Sequence, residues 1–558
     1  MELSQPRCIR GLIPARQLAA MLQDSSSSIC RLLRELYPDT SELSEKTQLC
    51  LEALRTFSKE FGAEQSVFLA RSTGRINLMG MHVDHRGGFV NPIAIKEVFF
   101  VVQPREDDVV EIRNAESNLF GPRRFRISTE LNQGKIHDWD MWSQQEFKKR
   151  QSQGRVGDWS NYVKASVLYL QHIHTRADGT FDPPLRGMNM AVKGNVPIAS
   201  GLSSSSAIVV GAMEACLKVN GLAIPPLEMV EACRLAEWYV GTRGGGGDHA
   251  AIRFGKKDHI LHIGSFPFSV SAERFPDGYS IVLADSLVQA RKQEGARDVF
   301  NERIASYVFG LLMLRHNFPA YKDKMEHLRD VNPERLAVSQ GQIYRMIRSL
   351  PQRCSRAEIL AKLPENPDVL ERTFGNHAEP TAGYYIRQVC TYGITECIRS
   401  KMAGEMLRKG DVKGFGELIN ISHDGDRVSR LVAGRCMAHD NSISDAKLEA
   451  LIGWAESDDP QDIKRSQLWR QSGGYNVSTK EQDTLVDISR SVPGVIGAGR
   501  VGAGLGGSII ALVREAQAQM LIQTLAEQYY KPRREPVAAE IVKPVGGSGF
   551  LELTSKTD

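Results

Sequence analysis

Three features that would quickly assign this chain to a class of protein are missing from it. Its nine cysteines include no Cys-x-x-Cys pair, which argues against a thiolate zinc site and a disulfide framework. No stretch approaches the roughly 18 consecutive apolar residues of a membrane helix. The N-terminal stretch also lacks the uninterrupted apolar core of a signal peptide. The sequence therefore predicts a cytoplasmic protein without a membrane partner.

An excess of charge of one sign is also missing. The chain has 70 lysines and arginines against 66 acidic residues, a formal net charge of +4 over 558 residues. This balance gives no reason to expect a nucleic-acid partner. The apolar content of 42% is ordinary for a globular protein, and the length suits two or three structural units.

The order of the apolar patterns predicts an α+β protein. Helical spacing dominates the first part of the chain, and short strands broken by turn residues begin near residue 66. A helix-rich region follows from about 299 to 455, and strands and helices alternate from 475 onward. The segment 433–474 is polar and weakly periodic, so we interpret it as an insertion or a long surface excursion.

Four serines follow a glycine in "PIASGLSSSSAIVVGAMEACLKVN", which starts at Pro197. We call residues 197–206 the serine loop. The apolar spacing after it predicts a helix, and free N–H groups at a helix start form an anion site for which phosphate is the natural occupant. The loop lacks the lysine of a Walker motif. A serine-capped core helix is the alternative interpretation.

A second glycine-rich stretch, "VIGAGRVGAGLGGSIIALV" at 495–513, matches G-x-G-x-x-G twice. That fingerprint indicates a dinucleotide fold only when a helix opens directly from it. Here "SIIALV" is typical of a strand, and only about fifty residues remain. We therefore predict that residues 501–507, the glycine loop, let the backbone close over a ligand.

Two further stretches carry polar side chains among glycines. In "LAEWYVGTRGGGGDHAAI" Asp248 follows four glycines, and Glu237 lies eleven residues before it. Of two such carboxylates, one could bind a metal–nucleotide complex and the other could act in acid–base chemistry. Asp248 considered alone also suits a solvated turn. In "GRINLMGMHVDHRGG" at 74–88, His82, Asp84 and His85 suggest either a metal site or a loop against a ligand.

The order and spacing of these motifs resemble the GHMP kinase superfamily and, within it, the galactokinase family. The first motif is also similar to that of galacturonokinases. The resemblance covers about 57–310 and 380–555. It implies a helical N-terminal extension (1–56), a domain like ribosomal protein S5 domain 2 that binds sugar and ATP (57–290), and a ferredoxin-like C-terminal domain (291–558) with an insertion around 433–474.

The resemblance also implies roles for single residues. Asp248 matches the catalytic base, and Arg75 matches the arginine that pairs with it. Ser205 and Glu237 match Mg²⁺ ligands, although the gap from Glu237 to Gly241 is one residue shorter than usual. A buried core tryptophan is the competing interpretation of Trp159. The residues that match ATP-binding positions are Trp159, Pro197, Gly201, Leu202, Ser203, Ser204, Ser205, Ser206 and Ala207.

The residues that match sugar-binding positions are Met81, His82, Asp84, Gly87, Gly88 and Phe300. The match makes a metal site at His82, Asp84 and His85 a poor interpretation. Several residues depart from the galactokinase pattern: Met81 replaces a glutamate that holds the C6 hydroxyl, His85 and Arg86 replace a tyrosine and an asparagine, Phe300 replaces a tyrosine, and Thr73 replaces a proline. Losing the glutamate lowers the cost of a carboxylate at C6.

The resemblance thus implies an ATP- and Mg²⁺-dependent sugar 1-kinase acting on galactose or on a C6-altered relative such as galacturonate. N-acetylgalactosamine and L-arabinose are alternative substrates, whereas mevalonate and homoserine fit the first motif poorly. A catalytically weak sensor of sugar and ATP is an alternative of another class. The sequence does not indicate an oligomeric state.

Overall fold

The structure is a computed structural model that describes residues 9, 11–39, 42–131, 134–288 and 296–552. Its strands are β1 Ile13–Pro14, β2 Ser66–Asn77, β3 Phe89–Val90, β4 Pro92–Pro104, β5 Val109–Asn114, β6 Arg123–Arg126, β7 Met188–Gly194, β8 His259–Gly264, β9 Ser269–Arg274, β10 Tyr279–Asp285, β11 Ser429–Val432, β12 Arg435–Ala438, β13 Val495–Arg500, β14 Ser508–Arg514, β15 Ala539–Val542 and β16 Gly549–Phe550. Its helices are α1 Ala15–Gln23, α2 Ser28–Leu36, α3 Leu43–Phe61, α4 Ile127–Glu130, α5 Trp139–Ser152, α6 Ser160–Ile173, α7 Ser204–Val219, α8 Pro226–Glu237, α9 Gly247–Phe254, α10 Ala296–Asn317, α11 Pro333–Leu336, α12 Gln340–Arg348, α13 Arg356–Lys362, α14 Pro367–Phe374, α15 Ile386–Lys409, α16 Val412–Asp426, α17 Asp445–Ala455, α18 Pro460–Ser466, α19 Lys480–Ser491, α20 Glu515–Leu525 and α21 Lys531–Arg533. The predicted α+β class is confirmed.

The larger sheet has the order β1-β2-β4-β7-β5-β6, and β16 also pairs with β2. Successive side chains of a strand point to opposite faces. Accordingly, Phe68 of β2 packs in the core with α6 and α7, and Leu69 packs in a second core with α1, α2 and α3. Because helices cover both faces, β2 is buried along almost its whole length.

The predicted helical extension packs on this sheet. Tyr37 accepts a hydrogen bond from Arg71 Nε at 3.0 Å and donates to Glu97 Oε2 at 3.2 Å. Lys46 forms an ion pair with Glu97 at 3.1 Å. The extension is therefore tied to the sheet by buried polar contacts as well as by apolar packing. Residues 1–8, 10, 40 and 41 of the predicted extension lie outside the described residues.

A smaller sheet has the order β13-β14-β10-β15, and α19 and α20 pack on it. The glycine loop leads from β13 into the strand β14, as its sequence predicts, so a dinucleotide-binding turn is absent there. Strand β10 lies before the predicted domain boundary at 290/291, which itself falls outside the described residues. β10 nevertheless pairs with β14 and β15, and β16 returns to the larger sheet, so strand pairing crosses the predicted boundaries.

A third core joins α10, α12, α15 and α17. Leu448, Leu451 and Leu468 are buried in it together with Ile343 and Tyr344. The interpretation of 433–474 as a surface excursion is therefore wrong for α17, because its apolar positions bury one face while its polar residues face solvent. An insertion relative to the family stays a prediction. In the described part of the chain, no helix has the length and apolar character needed to cross a membrane.

Candidate active site

An arginine–aspartate pair lies where the larger sheet meets the serine loop. Arg75, on β2, donates from Nε and Nη2 to the two carboxylate oxygens of Asp248, both at 2.6 Å. Its Nη1 donates to Gly201 O at 2.7 Å, and its backbone N–H donates to Leu202 O at 3.1 Å. The Asp248 side chain keeps 38% exposure, against 9% for Arg75. The pair therefore presents a fixed, accessible carboxylate beside the serine loop.

The serine loop has the backbone geometry of an anion site. Alternate residues Ala199, Gly201 and Ser203 have positive φ, at 57°, 81° and 59°. Such alternation turns successive N–H groups toward one side of the chain. Ser203 is the N-cap of α7, but its hydroxyl donates to Asp248 Oδ2 at 2.6 Å instead of capping the helix. The first N–H groups of α7 are thus left for a ligand.

The glycine loop packs backbone against backbone on the serine loop. A methyl group placed on Gly502 would lie 2.5 Å from Cα of Gly201, and one on Gly201 would lie 2.8 Å from Val501 O. Ser508 N donates to Ser200 O at 3.1 Å. Only glycine permits this approach, so the glycines at 201 and 502 bring the two loops together. Closure of the glycine loop over a ligand stays a prediction.

The predicted Mg²⁺ ligand Glu237 ends α8 and is buried. Its Oε2 accepts a hydrogen bond from Ser206 Oγ at 3.1 Å and lies 2.8 Å from His249 Nε2. The hydroxyl that reaches Glu237 is thus that of Ser206, one residue beyond the predicted Ser205. Within the described ranges, no group of three or more histidines, cysteines and acidic residues is arranged to hold a metal ion.

The predicted sugar residue Asp84 faces the Asp248 loop. Asp84 Oδ2 accepts from Gly247 N at 3.4 Å, and Oδ1 lies 3.1 Å from His85 Nδ1. Burial would raise the pKa of Asp84, but the hydrogen bonds from His85 and from Gly247 N–H lower it below its usual value. Asp84 is therefore a charged acceptor beside the loop that carries Asp248.

His82 does not join Asp84 and His85. Its ring stacks on Tyr475 at 3.9 Å, and its Nε2 contacts Arg500, which pairs with Asp426 at 2.7 Å. Burial and the nearby Arg500 charge hold the pKa of His82 well below its usual value. The imidazole is neutral and belongs to a cluster around the β13 end. The three side chains therefore have different partners: His82 contacts Arg500 and Tyr475, whereas Asp84 and His85 contact each other.

Met81, Gly87 and Gly88, which match sugar-binding positions, are all buried. Met81 is 7% exposed, and its Sδ lies 3.6 Å from Asn77 Nδ2. Gly87 has a φ of 84° and is covered by Arg329, whose Nη1 donates to Gly87 O at 3.0 Å. Gly88 packs against the Val83 side chain. Direct contact of these residues with a sugar stays a prediction.

The remaining predicted residues differ in how much they can offer a ligand. Phe300 is partly buried in the first turns of α10. Trp159 is 8% exposed and donates from Nε1 to Gly121 O at 3.0 Å, as a core tryptophan would. Of the residues predicted to bind ATP in the serine loop and its helix, the buried ones are Leu202, Ser206 and Ala207, and the partly exposed ones are Pro197, Gly201, Ser203, Ser204 and Ser205. Phosphate contact is therefore open mainly to the second group.

Three side chains that the motifs did not indicate hold the turn at residues 80–88, which we call the signature turn. Glu396 of α15 accepts from Gly80 N at 3.2 Å and Met81 N at 3.0 Å. Ser400 accepts from Phe89 N at 3.1 Å, and Arg329 binds Gly87 O. The sequence signal that could have indicated these supports is the pair Glu396 and Arg399, two charged residues on a buried face of one helix.

Comparison with known proteins agrees with this geometry. The model of the GHMP kinase N-terminal domain matches residues 161–256, which hold the serine loop and Asp248. The model of the GHMP kinase C-terminal domain matches 455–531, which hold the glycine loop. The galactokinase galactose-binding signature matches 55–103, which hold Arg75 and the signature turn.

Two curated relatives and one solved structure extend the likeness over most of the chain. The galactokinase of Schizosaccharomyces pombe is 24% identical over 534 residues, 90% of this chain and 94% of its own. That of a Roseiflexus species is 24% identical over 92% of this chain and 97% of its own. The crystal structure of Lactococcus lactis galactokinase complexed with galactose covers 89% of this chain and 98% of its own, with a TM-score of 0.59 and 21% identity.

The fold and the three matched segments define a kinase of the GHMP superfamily, a class of phosphotransferase with an alcohol acceptor. Within that class, the galactose-binding signature and the relatives that the chain matches are those of the galactokinase family, as the sequence motifs predict. ATP is the co-substrate that this likeness implies. The roles of single site residues stay predictions.

Proposed function

We propose that this chain is an ATP-dependent sugar 1-kinase that phosphorylates the anomeric hydroxyl of galactose or a galactose-like sugar. The observation that carries the proposal is the Arg75–Asp248 pair, joined through Ser203 to the serine loop and lying beside Asp84. An acceptor for a hydroxyl proton and an anion site thus face each other across a short distance. The galactokinase relatives supply the sugar class.

In the proposed reaction Asp248 accepts the proton of the anomeric hydroxyl. The freed oxygen bonds to the γ-phosphorus of ATP, the bond from that phosphorus to the β–γ bridging oxygen breaks, and ADP leaves. A carboxylate has about four lone-pair positions, so Asp248 can take the proton while Arg75 and Ser203 still hold it. Arg75 orients the base and offsets negative charge near the transferring group.

The serine loop and the start of α7 bind the ATP phosphates in this proposal. The alternating positive φ values of the loop and the free N–H groups of the helix both favour an anion. Ser204 and Ser205 are partly exposed and can donate from their hydroxyls. Asp84 binds ring hydroxyls on the other side of Asp248.

Mg²⁺ is the expected ion, and the oxygen donors of Glu237 and the neighbouring serines fit its preference. When bound, it would neutralise phosphate charge. Glu237 Oε2 is shared with Ser206 and His249, so Ser206 is a second candidate ligand beside Ser205. We propose that Glu237 holds the ion and that His249 orients its carboxylate.

The test is release of ADP from ATP–Mg²⁺ with galactose, galacturonate, N-acetylgalactosamine or L-arabinose, for wild type and Asp248→Asn. We expect sugar-dependent ADP release that falls about 10³-fold in Asp248→Asn, since asparagine cannot accept the proton. The matched control is Asp107→Asn, which breaks a similar two-oxygen pair with Arg105 away from the site. Turnover left intact by Asp248→Asn would refute the assignment of the base, and sugar and ATP binding without ADP would indicate a sensor.

A further inference from the structure

Behind the signature turn, several polar atoms are shielded from solvent and have no hydrogen-bond partner. They are Nε2 of His85, Nε of Arg86 and the hydroxyl oxygens of Tyr307 and Tyr475. Both tyrosines are completely buried. Buried polar groups are nearly always paired in native proteins, so four unpaired atoms in one place indicate a missing ligand.

These atoms belong to one contiguous cluster. The guanidinium carbon of Arg86 lies 5.7 Å from the centre of the Tyr307 ring. The Tyr307 ring centre is 6.0 Å from that of His85 and 5.6 Å from that of Tyr475. Arg86 Nη2 donates weakly, at 3.4 Å, to Ile304 O of α10. The cluster therefore fills the space between the signature turn and α10.

The cluster has an excess of donors, and the carboxylate next to it, Asp84, is already bound to His85 and to Gly247 N–H. Arg86 and the two tyrosine hydroxyls are donors, and His85 already directs Nδ1 toward Asp84. Across the described ranges, Arg86 takes part in no ion pair. Asp426 has an unpaired Oδ1, but its Oδ2 is committed to Arg500 at 2.7 Å. The group that would complete the cluster is an acceptor with negative charge.

The position of the cluster indicates which part of a sugar it would meet. Asp84 contacts the Asp248 loop through Oδ2 and contacts His85 through Oδ1. The cluster is thus on the far side of Asp84 from the proposed base. In the sugar orientation of the proposed function, the C1 hydroxyl meets Asp248 and the ring hydroxyls meet Asp84, so the opposite edge of the ring, with C4 to C6, lies toward this side.

We propose that Arg86, together with Tyr307, binds a carboxylate on C6 of the sugar, so that the preferred substrate is a hexuronic acid of galactose configuration. This inference rests on the proposed sugar-kinase function. Burial lowers the pKa of Arg86 below its ordinary value, in line with a guanidinium whose counter-charge is missing. The Met81 side chain carries no negative charge that would repel a carboxylate, and the charge of Glu396 behind it is paired with Arg399 at 2.8 Å.

The experiment compares kcat/KM for galactose, galacturonate, the methyl ester of galacturonate and galactose 6-phosphate, with ATP–Mg²⁺ and wild-type protein. We expect galacturonate to exceed its uncharged methyl ester by at least about tenfold, the size of a charge-assisted hydrogen bond. A preference for galactose 6-phosphate or galactose would overturn the inference and leave the kinase proposal standing. Absence of turnover with every sugar would refute the kinase proposal instead.

Two variants separate substrate recognition from structure. Arg86→Leu removes the charge, and Tyr307→Phe removes one hydroxyl while keeping the ring. We expect both to lower the ratio of galacturonate to galactose kcat/KM, by about tenfold or more for Arg86→Leu. A merely structural role would lower both constants equally and would overturn the inference. The matched controls are Arg353→Leu, which removes another arginine stacked on a tyrosine, and Tyr344→Phe, whose hydroxyl bonds Ser466 O. If Arg86→Leu does not fold, Tyr307→Phe decides by the same ratio.

Discussion

The two ends of the candidate site are built in different ways. At the phosphate end, the serine loop and the glycine loop touch through their backbones, and Arg75 ties both carboxylate oxygens of Asp248 to them. At the sugar end, the signature turn is held by side chains from helices, chiefly Glu396, Ser400 and Arg329. The contact between the two loops at the phosphate end thus depends on the absence of side chains, whereas the turn at the sugar end depends on their presence.

Because of this difference, the residues at the two ends can change to different degrees. A backbone nest for phosphate serves any nucleotide-dependent kinase and tolerates little change of residue. Side chains reaching in from helices can be exchanged one at a time, so they can adjust which sugar is accepted. The departures at Met81, His85 and Arg86 all lie at the sugar end.

The largest effect should follow from breaking the phosphate end at Arg75. Arg75→Met removes the two bonds to Asp248 and the bond to Gly201 O, so the base loses its orientation and its counter-charge. We expect kcat to fall about 10³-fold, equivalent to roughly 4 kcal/mol. A coupled ADP assay measures it. Arg105→Met, which breaks the similar pair with Asp107, should leave kcat unchanged. Equal losses in the two variants would contradict the prediction.

The next largest effect should come from the sugar end at Glu396. Glu396→Gln keeps the size of the side chain but leaves the fully buried Arg399 without a counter-charge. We expect a loss of about 3 kcal/mol in the free energy of unfolding and a higher sugar KM, with the ATP KM unchanged. Denaturant unfolding and steady-state kinetics measure these. Glu449→Gln, which breaks a surface pair with Arg348, should change stability by less than about 0.5 kcal/mol. A rise in the ATP KM would show that the two ends are not separable.

The same difference explains how much the sequence could predict. Glycine and serine runs have few structural uses, so the helix after the serine loop and the strand β14 after the glycine loop were predictable from the sequence. The role of Asp248 is implied by the family resemblance and stays a prediction. Ser206 rather than Ser205 meets Glu237 because one residue of helical phase, about 100°, decides which hydroxyl points inward.

The supports of the sugar end were not predictable in the same way. Arg329 lies more than two hundred residues from Gly87, on a short helical turn with an ordinary pattern. His82, Asp84 and His85 are close in sequence, yet a φ of 62° at His82 sends its ring toward Tyr475. A backbone angle of this kind leaves no trace in residue spacing.

A smaller effect should separate backbone contact from backbone strain at the phosphate end. Gly502 and Gly434 have similar φ values, 79° and 77°, but only a methyl group on Gly502 would meet the serine loop. We expect Gly434→Ala to lose about 1 kcal/mol of stability from strain alone, and Gly502→Ala to lose about 2 kcal/mol. Only Gly502→Ala should raise the ATP KM. Equal ATP KM values in the two variants would mean that contact between the loops does not shape the phosphate site.

The smallest effect concerns pH and the sugar end. Burial, with a contribution from Arg408, lowers the pKa of His262 to about 4. The unfolded chain protonates this histidine near 6.5, so between pH 6.5 and 4 it binds more protons than the folded chain, and stability falls as pH falls. At pH 5.5 the loss is about 1 kcal/mol for this histidine. His262→Gln should remove that part of the loss measured by unfolding at pH 7.5 and 5.5. It should also raise the sugar KM, because His262 Nδ1 contacts Asn91 Oδ1 at 2.8 Å, just beyond the signature turn.

His377, whose pKa is also lowered to about 4 by burial, bonds Tyr384 in the helical core. His377→Gln should therefore reduce the pH dependence of stability by the same amount and leave the sugar KM unchanged. The same change of sugar KM in both variants would show that His262 acts on the sugar end no more directly than the helical core does.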